Sequence, residues 1–353
     1  MNEMDEANQD LFFRKLIITE IREEIKDFKT FVFREEQPIS YQAGQFITLV
    51  DQSGPSEIRR SYSMHSAPVL HEPLAISVKR VDNGFFSRKL VDQARIGDHL
   101  LTTGAAGFFI LPENMKTYRS VFFLAAGSGI VPILSLIKTV LHLYPEIKIY
   151  LVYSNPSAET TAFYHYLKTL EKRFPNQLFI DFIFSSFPDL RKARLNRELL
   201  LEIISIRGFD KQDTLFYTCG PENYMRMISF LLQEEGFPKE NIKKEDFYAG
   251  IKKRILHLPP DKNNYEVHLT MKGKSYDFPV KYPDSILQSA RKPKLDLPFS
   301  CETGVCGSCA AICVSGEVWL SNNEVLTEDD IRKGYILTCT GHPQKGNLAL
   351  KID

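Results

Sequence analysis

Neither sign of charge prevails in this 353-residue chain, where 44 Lys and Arg stand against 44 Asp and Glu. The charges are scattered, and without a basic block there is no electrostatic footprint for nucleic acid or for an anionic membrane surface. Long apolar runs are missing as well, so no segment reads as a membrane span. The start of the chain carries Glu3, Asp5, Glu6 and Asp10 without an apolar stretch, and no signal or transit peptide is expected there. Internal repeats and low-complexity tracts are absent. Cysteine is nearly missing from the first 300 residues, which hold only Cys219, whereas Cys301, Cys306, Cys309, Cys313 and Cys339 follow. The expected location is cytoplasmic. Thiols stay reduced there, so these cysteines point to a metal or to catalysis before disulfides.

At this length two or three domains are expected, each with its own core, and the texture of the chain favours three. Short β-type runs separated by turn residues, such as Phe46-Ile47-Thr48-Leu49-Val50 and Leu74-Ala75-Ile76-Ser77-Val78, suggest a small antiparallel β-barrel over 9–115. Apolar strands and helical segments then alternate over 116–249. Strands are predicted at 121–126, 147–152, 178–184 and 214–219, and helices at 133–143, 160–174, 195–206 and 223–235. That alternation reads as an α/β domain with a parallel sheet. The polar stretch 250–263, with Lys252, Lys253, Arg254, Pro259 and Pro260, reads as a linker. Residues 264–353 form the last domain, opening with a hairpin over 265–270 and 275–280 and a helix capped by Ser285.

Cys301-x4-Cys306-x2-Cys309, with Cys339 after 29 further residues, has the spacing of plant-type 2Fe-2S ligands. Iron in a sulfide cluster takes soft, charged thiolates, and Gly304 and Gly307 supply backbone freedom to a loop wrapped around it. A tetrahedral zinc site is the alternative, although zinc ribbons present two short Cys pairs. Cys313 could imitate a further ligand, but it falls in the strand-like Ala311-Ile312-Cys313-Val314 and reads as a buried small hydrophobe. Thr327-Glu328-Asp329-Asp330 has the form of a capping box for a short helix.

On these residues the segment 265–353 resembles a plant-type ferredoxin, an α+β (β-grasp) domain. Tyr41-Gln42-Ala43-Gly44-Gln45-Phe46 and Arg60-Ser61-Tyr62-Ser63 resemble the flavin-binding half of the ferredoxin-NADP reductase family. The resemblance implies that Arg60 meets the FAD pyrophosphate, Tyr62 lies on the isoalloxazine, and Ser63 bonds near its reactive nitrogen. Val78-Lys79-Arg80 and Gly84-Phe85-Phe86-Ser87 resemble the second flavin phosphate segment, which adds Val78, Lys79, Gly84, Phe86 and Ser87. Read as residues alone, Arg59 and Lys79 are solvated charges. Gly127-Ser128-Gly129 follows a strand and opens a helix, and Pro132 stands where a Rossmann fingerprint would have glycine. With Cys219-Gly220-Pro221, it resembles the nicotinamide segments of that family. Ser63 and Cys219 are the positions that the resemblance puts beside the reacting ends, Cys219 as a wall residue and not as a nucleophile. Phe247, in Lys244-Glu245-Asp246-Phe247, resembles the aromatic that covers the other flavin face. Asn155-Pro156 and Ser185-Ser186 lack the arginines of phosphate-preferring members, which leans the cofactor to NADH over NADPH.

The order of flavin barrel, dinucleotide domain and ferredoxin resembles the reductase components of multicomponent oxygenases. The resemblance implies an NAD(P)H-dependent oxidoreductase that passes electrons through FAD and a 2Fe-2S cluster to an oxygenase component of Rieske or di-iron type. A flavin is needed because a nicotinamide delivers two electrons together and a cluster accepts one. Two rival functions share most of these motifs: reduction of a small acceptor such as a quinone or free flavin, and an electron-carrier module without its own nicotinamide site.

Overall fold

A computed structural model describes residues 13–54, 57–207, 210–247 and 258–352. The expected linker falls largely outside these residues, at 250–257, as does the charged start of the chain. The described residues fall into two compact units, one holding Phe13–Ala105 and Phe109–Phe247, the other Ala106–Phe108 and everything from 258 onward.

The first unit contains two sheets. Six strands, β1 (Arg14–Ile25), β2 (Phe28–Glu35), β3 (Phe46–Asp51), β4 (Ile58–Ser63), β5 (Ala75–Lys79) and β6 (His99–Ala106), form a sheet in the order β4-β3-β6-β1-β2-β5. A bridge between Met64 and Ile76 joins its two ends, so the sheet closes as a barrel. Alternation explains the closure: Leu16, Ile18, Phe31, Phe33, Ile47 and Leu49 point inward and pack together. After β5 a helical turn, α1 (Phe85–Arg88), starts at Gly84.

The other sheet is parallel, with β7 (Ser120–Ala126), β8 (Lys148–Asn155), β9 (Leu178–Phe184), β10 (Thr214–Cys219) and β11 (Ile242–Glu245) in the order β11-β10-β7-β8-β9. The connecting helices are α2 (Ile130–Leu143), α3 (Tyr164–Arg173), α4 (Arg197–Arg207) and α5 (Glu222–Glu234). In β7, Val121, Phe123 and Ala125 pack with α2 and α3 on one face. Phe122 and Leu124 pack with α4 and α5 on the other. A strand covered on both sides needs this unbroken apolar run. The first helix begins at Ile130, three residues before its predicted start, because Pro132 sits in the first turn, where a missing N–H costs no hydrogen bond. The second begins later than predicted, at Tyr164, since Phe163 is left-handed (φ 60°). The chain begins at β7, winds outward to β9, then crosses back to β10. The crevice at the carboxyl ends of β7 and β10 is therefore a topological switch point, where doubly wound sheets take ligands.

In the second unit, β12 (Tyr265–Met271), β13 (Lys274–Val280), β14 (Ala310–Leu320), β15 (Tyr335–Leu337) and β16 (Gly341–Ile352) form a mixed sheet in the order β13-β12-β16-β14-β15, in which β12 and β16 run parallel. The hairpin turn is Lys272-Gly273, both at positive φ (49° and 74°), as a two-residue primed turn requires. Helix α6 (Ile286–Arg291) packs on β13 and β16, and Ser285 and Gln288 form a full capping box at its start. A second box, Thr327 with Asp330, caps α7 (Glu328–Arg332).

Candidate flavin, nicotinamide and iron-sulfur sites

The loop between α6 and β14 carries three of the four cysteines. Gly304 (φ +79°) and Gly307 (φ +76°) are left-handed, and a Cβ on Gly304 would stand 2.6 Å from the Asn322 carbonyl oxygen, so the loop curls as only glycine permits. The fourth cysteine is tied to it through the neighbouring threonine, since the Thr338 N–H and hydroxyl both donate to the Cys309 carbonyl at 3.1 Å. Backbone N–H groups point at sulfur: Thr303 at Cys301 and Ser308 at Cys306, each 3.4 Å away. The thiols approach one another as two pairs. The Cys306 thiol donates to the Ser308 hydroxyl at 3.4 Å; the Cys301 thiol is lowered to about 5, chiefly through Cys306, and Cys339 together with burial holds Cys309 well above its ordinary range.

Two thiol pairs suit a two-iron core, in which each tetrahedral iron shares two sulfides and takes two thiolates. Cys313 lies apart from the four, in β14 and opposite Leu350. It is half-buried, not buried as expected, because its strand is irregular there and its sulfur turns toward the Ser315 carbonyl at 3.4 Å.

On the barrel, Arg60, Tyr62 and Ser63 end β4. The Arg60 guanidinium is exposed and gives one N–H to the Arg59 carbonyl at 2.7 Å, which suits a group meant for phosphate. Tyr62 leans on Phe86 with ring centroids 6.1 Å apart, and burial raises its phenol. Arg59 is not the solvated charge expected of it: its side chain is 2% exposed, pairs with Glu57 at 2.5 Å and lies 5.6 Å over the Phe13 ring. Consecutive strand residues face opposite ways, so only one of two adjacent arginines can stay in solvent. Lys79 is exposed, as expected. Val78 and Phe86 are buried in the barrel core, which leaves their backbone to meet a ligand. The Ser87 hydroxyl accepts from the Val81 N–H and donates to the Gly84 carbonyl, both at 3.2 Å, fixing the turn at Gly84.

At the switch point, Gly127-Ser128-Gly129 and Cys219-Gly220-Pro221 meet. A Cβ on Gly129 would stand 2.0 Å from the Cys219 carbonyl oxygen, so the close approach of the two segments depends on that glycine. Gly127 accepts a hydrogen bond from the Tyr153 hydroxyl at 3.0 Å, and Gly220 packs 3.0 Å from the Ala126 methyl when given a Cβ. Such a tight, side-chain-free floor fits a flat dinucleotide ring. Cys219 is fully buried, and burial, with Glu245 and Asp246 nearby, raises its thiol well above the ordinary range, which keeps it from acting as a thiolate.

One participant escaped the sequence reading. Glu245 ends β11 directly beside Cys219 in the register, and Ser63 donates to its carboxylate at 3.0 Å across 182 residues. Burial raises the Glu245 carboxyl from 4.5 to about 8, with the Ser63 hydrogen bond opposing it. Accessible area makes Glu245 only half-buried. The signal was a carboxylate closing an edge strand at the ligand-binding end of the sheet. Phe247, two residues on, is 43% exposed.

Residues 15–110 match an oxidoreductase FAD-binding domain, 123–229 an oxidoreductase NAD-binding domain, and 269–344 a 2Fe-2S iron-sulfur cluster binding domain. The chain is an NAD(P)H-dependent flavin and iron-sulfur oxidoreductase. It is similar along nearly its whole length to named proteins. With one of the subunits of the 1,2-phenylacetyl-CoA epoxidase of Escherichia coli it shares 29% identity over 97% of this chain and 98% of that one. With the glycine betaine monooxygenase reductase subunit of Pseudomonas aeruginosa it shares 28%, over 93% and 92%. Among solved structures, phthalate dioxygenase reductase, described as modular for electron transfer from pyridine nucleotides to a 2Fe-2S centre, superimposes with TM-score 0.61 at 24% identity over 98% and 99% of the two chains. The oxidoreductase shares the three-domain architecture of that structure: an antiparallel flavin barrel, a parallel dinucleotide sheet and a C-terminal iron-sulfur domain. Among the described residues no helix is long and apolar enough to cross a membrane.

Proposed function

We propose that this protein is the reductase component of an oxygenase system, carrying electrons from NAD(P)H through FAD and a 2Fe-2S cluster to an oxygenase of Rieske or di-iron type. The observation that carries this reading is the meeting of Ser63 and Glu245 at 3.0 Å, with Cys219 beside Glu245, because it joins the flavin segment to the nicotinamide segment at one point. Domain limits of 9–115, 116–249 and 264–353, joined by the linker 250–263, fit the matched segments. The names of the similar proteins support an oxygenase as acceptor. A cytoplasmic setting, where thiols are kept reduced, suits cysteines spaced to hold a cluster.

When bound, FAD and the cluster supply the conversion of a paired electron input into single-electron output. The chain's own residues position and insulate. Arg60, with the backbone around Val78, Lys79, Gly84, Phe86 and Ser87, would hold the flavin phosphates, and Tyr62 and Phe247 would lie against its ring. Ser63 sets the hydrogen bonding at the ring's reactive edge, and Glu245 fixes the Ser63 hydroxyl. Gly127, Ser128, Gly129, Gly220 and Pro221 form the nicotinamide floor, and Cys219 is its dry wall. Cys301, Cys306, Cys309 and Cys339 would hold the cluster. NADH is the favoured donor, because Asn155-Pro156 and Ser185-Ser186, whose N–H groups at 185 and 186 turn onto the Asn155 and Pro156 carbonyls at 3.0 Å, stand where phosphate-preferring relatives carry arginines; Arg191, Lys192 and Arg194 are the cations that could serve NADPH instead.

The test is steady-state NADH and NADPH oxidation by the purified protein, with a partner oxygenase and then with quinone or free flavin as acceptor. Turnover that depends on the oxygenase, and is faster with NADH, supports the reading. Equal or faster turnover with a small acceptor alone would replace it.

A further inference from the structure

The helix that begins at the nicotinamide turn, α2, is apolar and buried along nearly its whole length, apart from a polar stripe at Ser135, Lys138 and Thr139. A lysine in such a helix is an anomaly unless something pairs with it, because an isolated buried ammonium is costly. Lys138 has 5% of its side chain exposed, and its ammonium donates to the Glu72 carboxylate, 66 residues earlier in the chain. The same Glu72 oxygen accepts the Ala67 N–H at 2.8 Å. One turn back on the helix, the Ser135 hydroxyl donates to the Ser66 carbonyl at 2.6 Å. Ser66 is itself held by the Tyr41 hydroxyl at 2.7 Å and the Ala75 N–H at 3.0 Å. The loop these bonds grip, 64–74, is the direct continuation of Ser63.

We propose that Lys138 and Glu72, with Ser135 and Ser66, form a latch that sets the placement of the nicotinamide turn against the flavin segment. The argument rests on connectivity: one end of the latch is a rigid helix whose first residues follow Gly127–Gly129, and the other end is a loop whose first residue follows Ser63. Fixing the helix to the loop at two points a turn apart fixes both translation and rotation between the two segments that must meet. Hydride transfer is sensitive to that placement, since about 1 Å of displacement costs on the order of a hundredfold in rate. Lys138 and Glu72 act through the segments they hold, and are positioning residues.

The inference rests on the nicotinamide reading above, and its test separates the two. Lys138→Met, Glu72→Gln and the exchanged pair Glu72→Lys with Lys138→Glu are compared in the full-length holoprotein by anaerobic stopped-flow reduction with NADH. The limiting rate of flavin reduction should fall on the order of tenfold to a hundredfold in each single variant, with the half-saturating NADH concentration little changed, and the exchanged pair should recover part of it. Should Lys138→Met not fold, Glu72→Gln decides the matter, since it keeps the shape and an acceptor for Ala67 while removing the charge that holds the buried ammonium. A lowered melting temperature with an unchanged limiting rate would reduce the pair to a structural anchor and overturn the proposal. Amide hydrogen exchange gives an answer without nicotinamide: the latch predicts faster exchange in both the 64–74 loop and the distant Gly127–Gly129 turn. Unchanged exchange at the turn contradicts the latch. Faster exchange at the turn, in a protein whose wild-type flavin no nicotinamide reduces, would leave the latch standing and discard the nicotinamide reading.

Discussion

The iron-sulfur site and the flavin–nicotinamide site are built in opposite ways. Three of the four cluster cysteines come from one loop of nine residues, 301–309, whose shape is dictated by left-handed glycines within it. The proposed hydride site is assembled from the ends of β4, β7, β10 and β11, and the Ser63–Glu245 contact within it spans 182 residues. A local site is written in spacing; an assembled one is written in topology. The cysteine loop is shaped by its own glycines and held by a few neighbours such as Asn322 and Thr338, while the proposed hydride site draws on packing between the barrel and the parallel sheet.

Substituting one residue in each site puts that contrast under strain. Cys309→Ser removes a buried ligand, and electron delivery to a protein acceptor should fall by more than the roughly 10–100-fold that follows loss of an outer-shell partner, while flavin reduction by NADH continues. Iron content, flavin bleaching and acceptor turnover measured on one preparation would check this. Loss of flavin reduction along with the iron would mean that the two sites are not separable.

Gly129→Ala tests the assembled site. Its Cβ would stand 2.0 Å from the Cys219 carbonyl, so two backbone segments must part. A loss of about 1–3 kcal/mol in stability is expected, with flavin reduction slowed on the order of a hundredfold and the cluster spectrum unaltered. Chemical denaturation alongside single-turnover reduction measures both.

The smallest effect belongs to Glu245. Its folded-state carboxyl lies at about 8, above the ordinary 4.5. The fold therefore binds that proton more tightly than the unfolded chain does, and the resulting stabilisation is complete below the ordinary value and lost as pH rises through about 8. In the flavin-free protein, Glu245→Gln should flatten the decline of thermal stability across that window. An equally steep decline in the variant would assign it to other groups.

The same contrast explains what could be read from the sequence alone. The Cys spacing, the Ser285 cap, the Thr327 capping box and the strands 178–184 and 214–219 were legible because each depends on neighbours in sequence, and the hairpin was legible too, although its turn is two residues and not the four expected at 271–274. Arg59 and Glu245 were not. Whether a charge on a strand is solvated depends on which face the barrel closes over, and Arg59 fell on the inside beside Phe13 and Glu57. Glu245 acquires its meaning only when β11 is laid next to β10, a pairing no local pattern encodes. Lys138 joins them: only the fold buries it on α2 and names Glu72 as its partner.

The most direct test is rapid mixing of the anaerobic protein with NADH, following flavin absorbance by stopped flow and the iron-sulfur signal by electron paramagnetic resonance on freeze-quenched samples. The predicted result is bleaching of the flavin first, with the cluster signal growing in after it. A cluster reduced while the flavin stays oxidised, or a flavin that neither NADH nor NADPH bleaches, would contradict it.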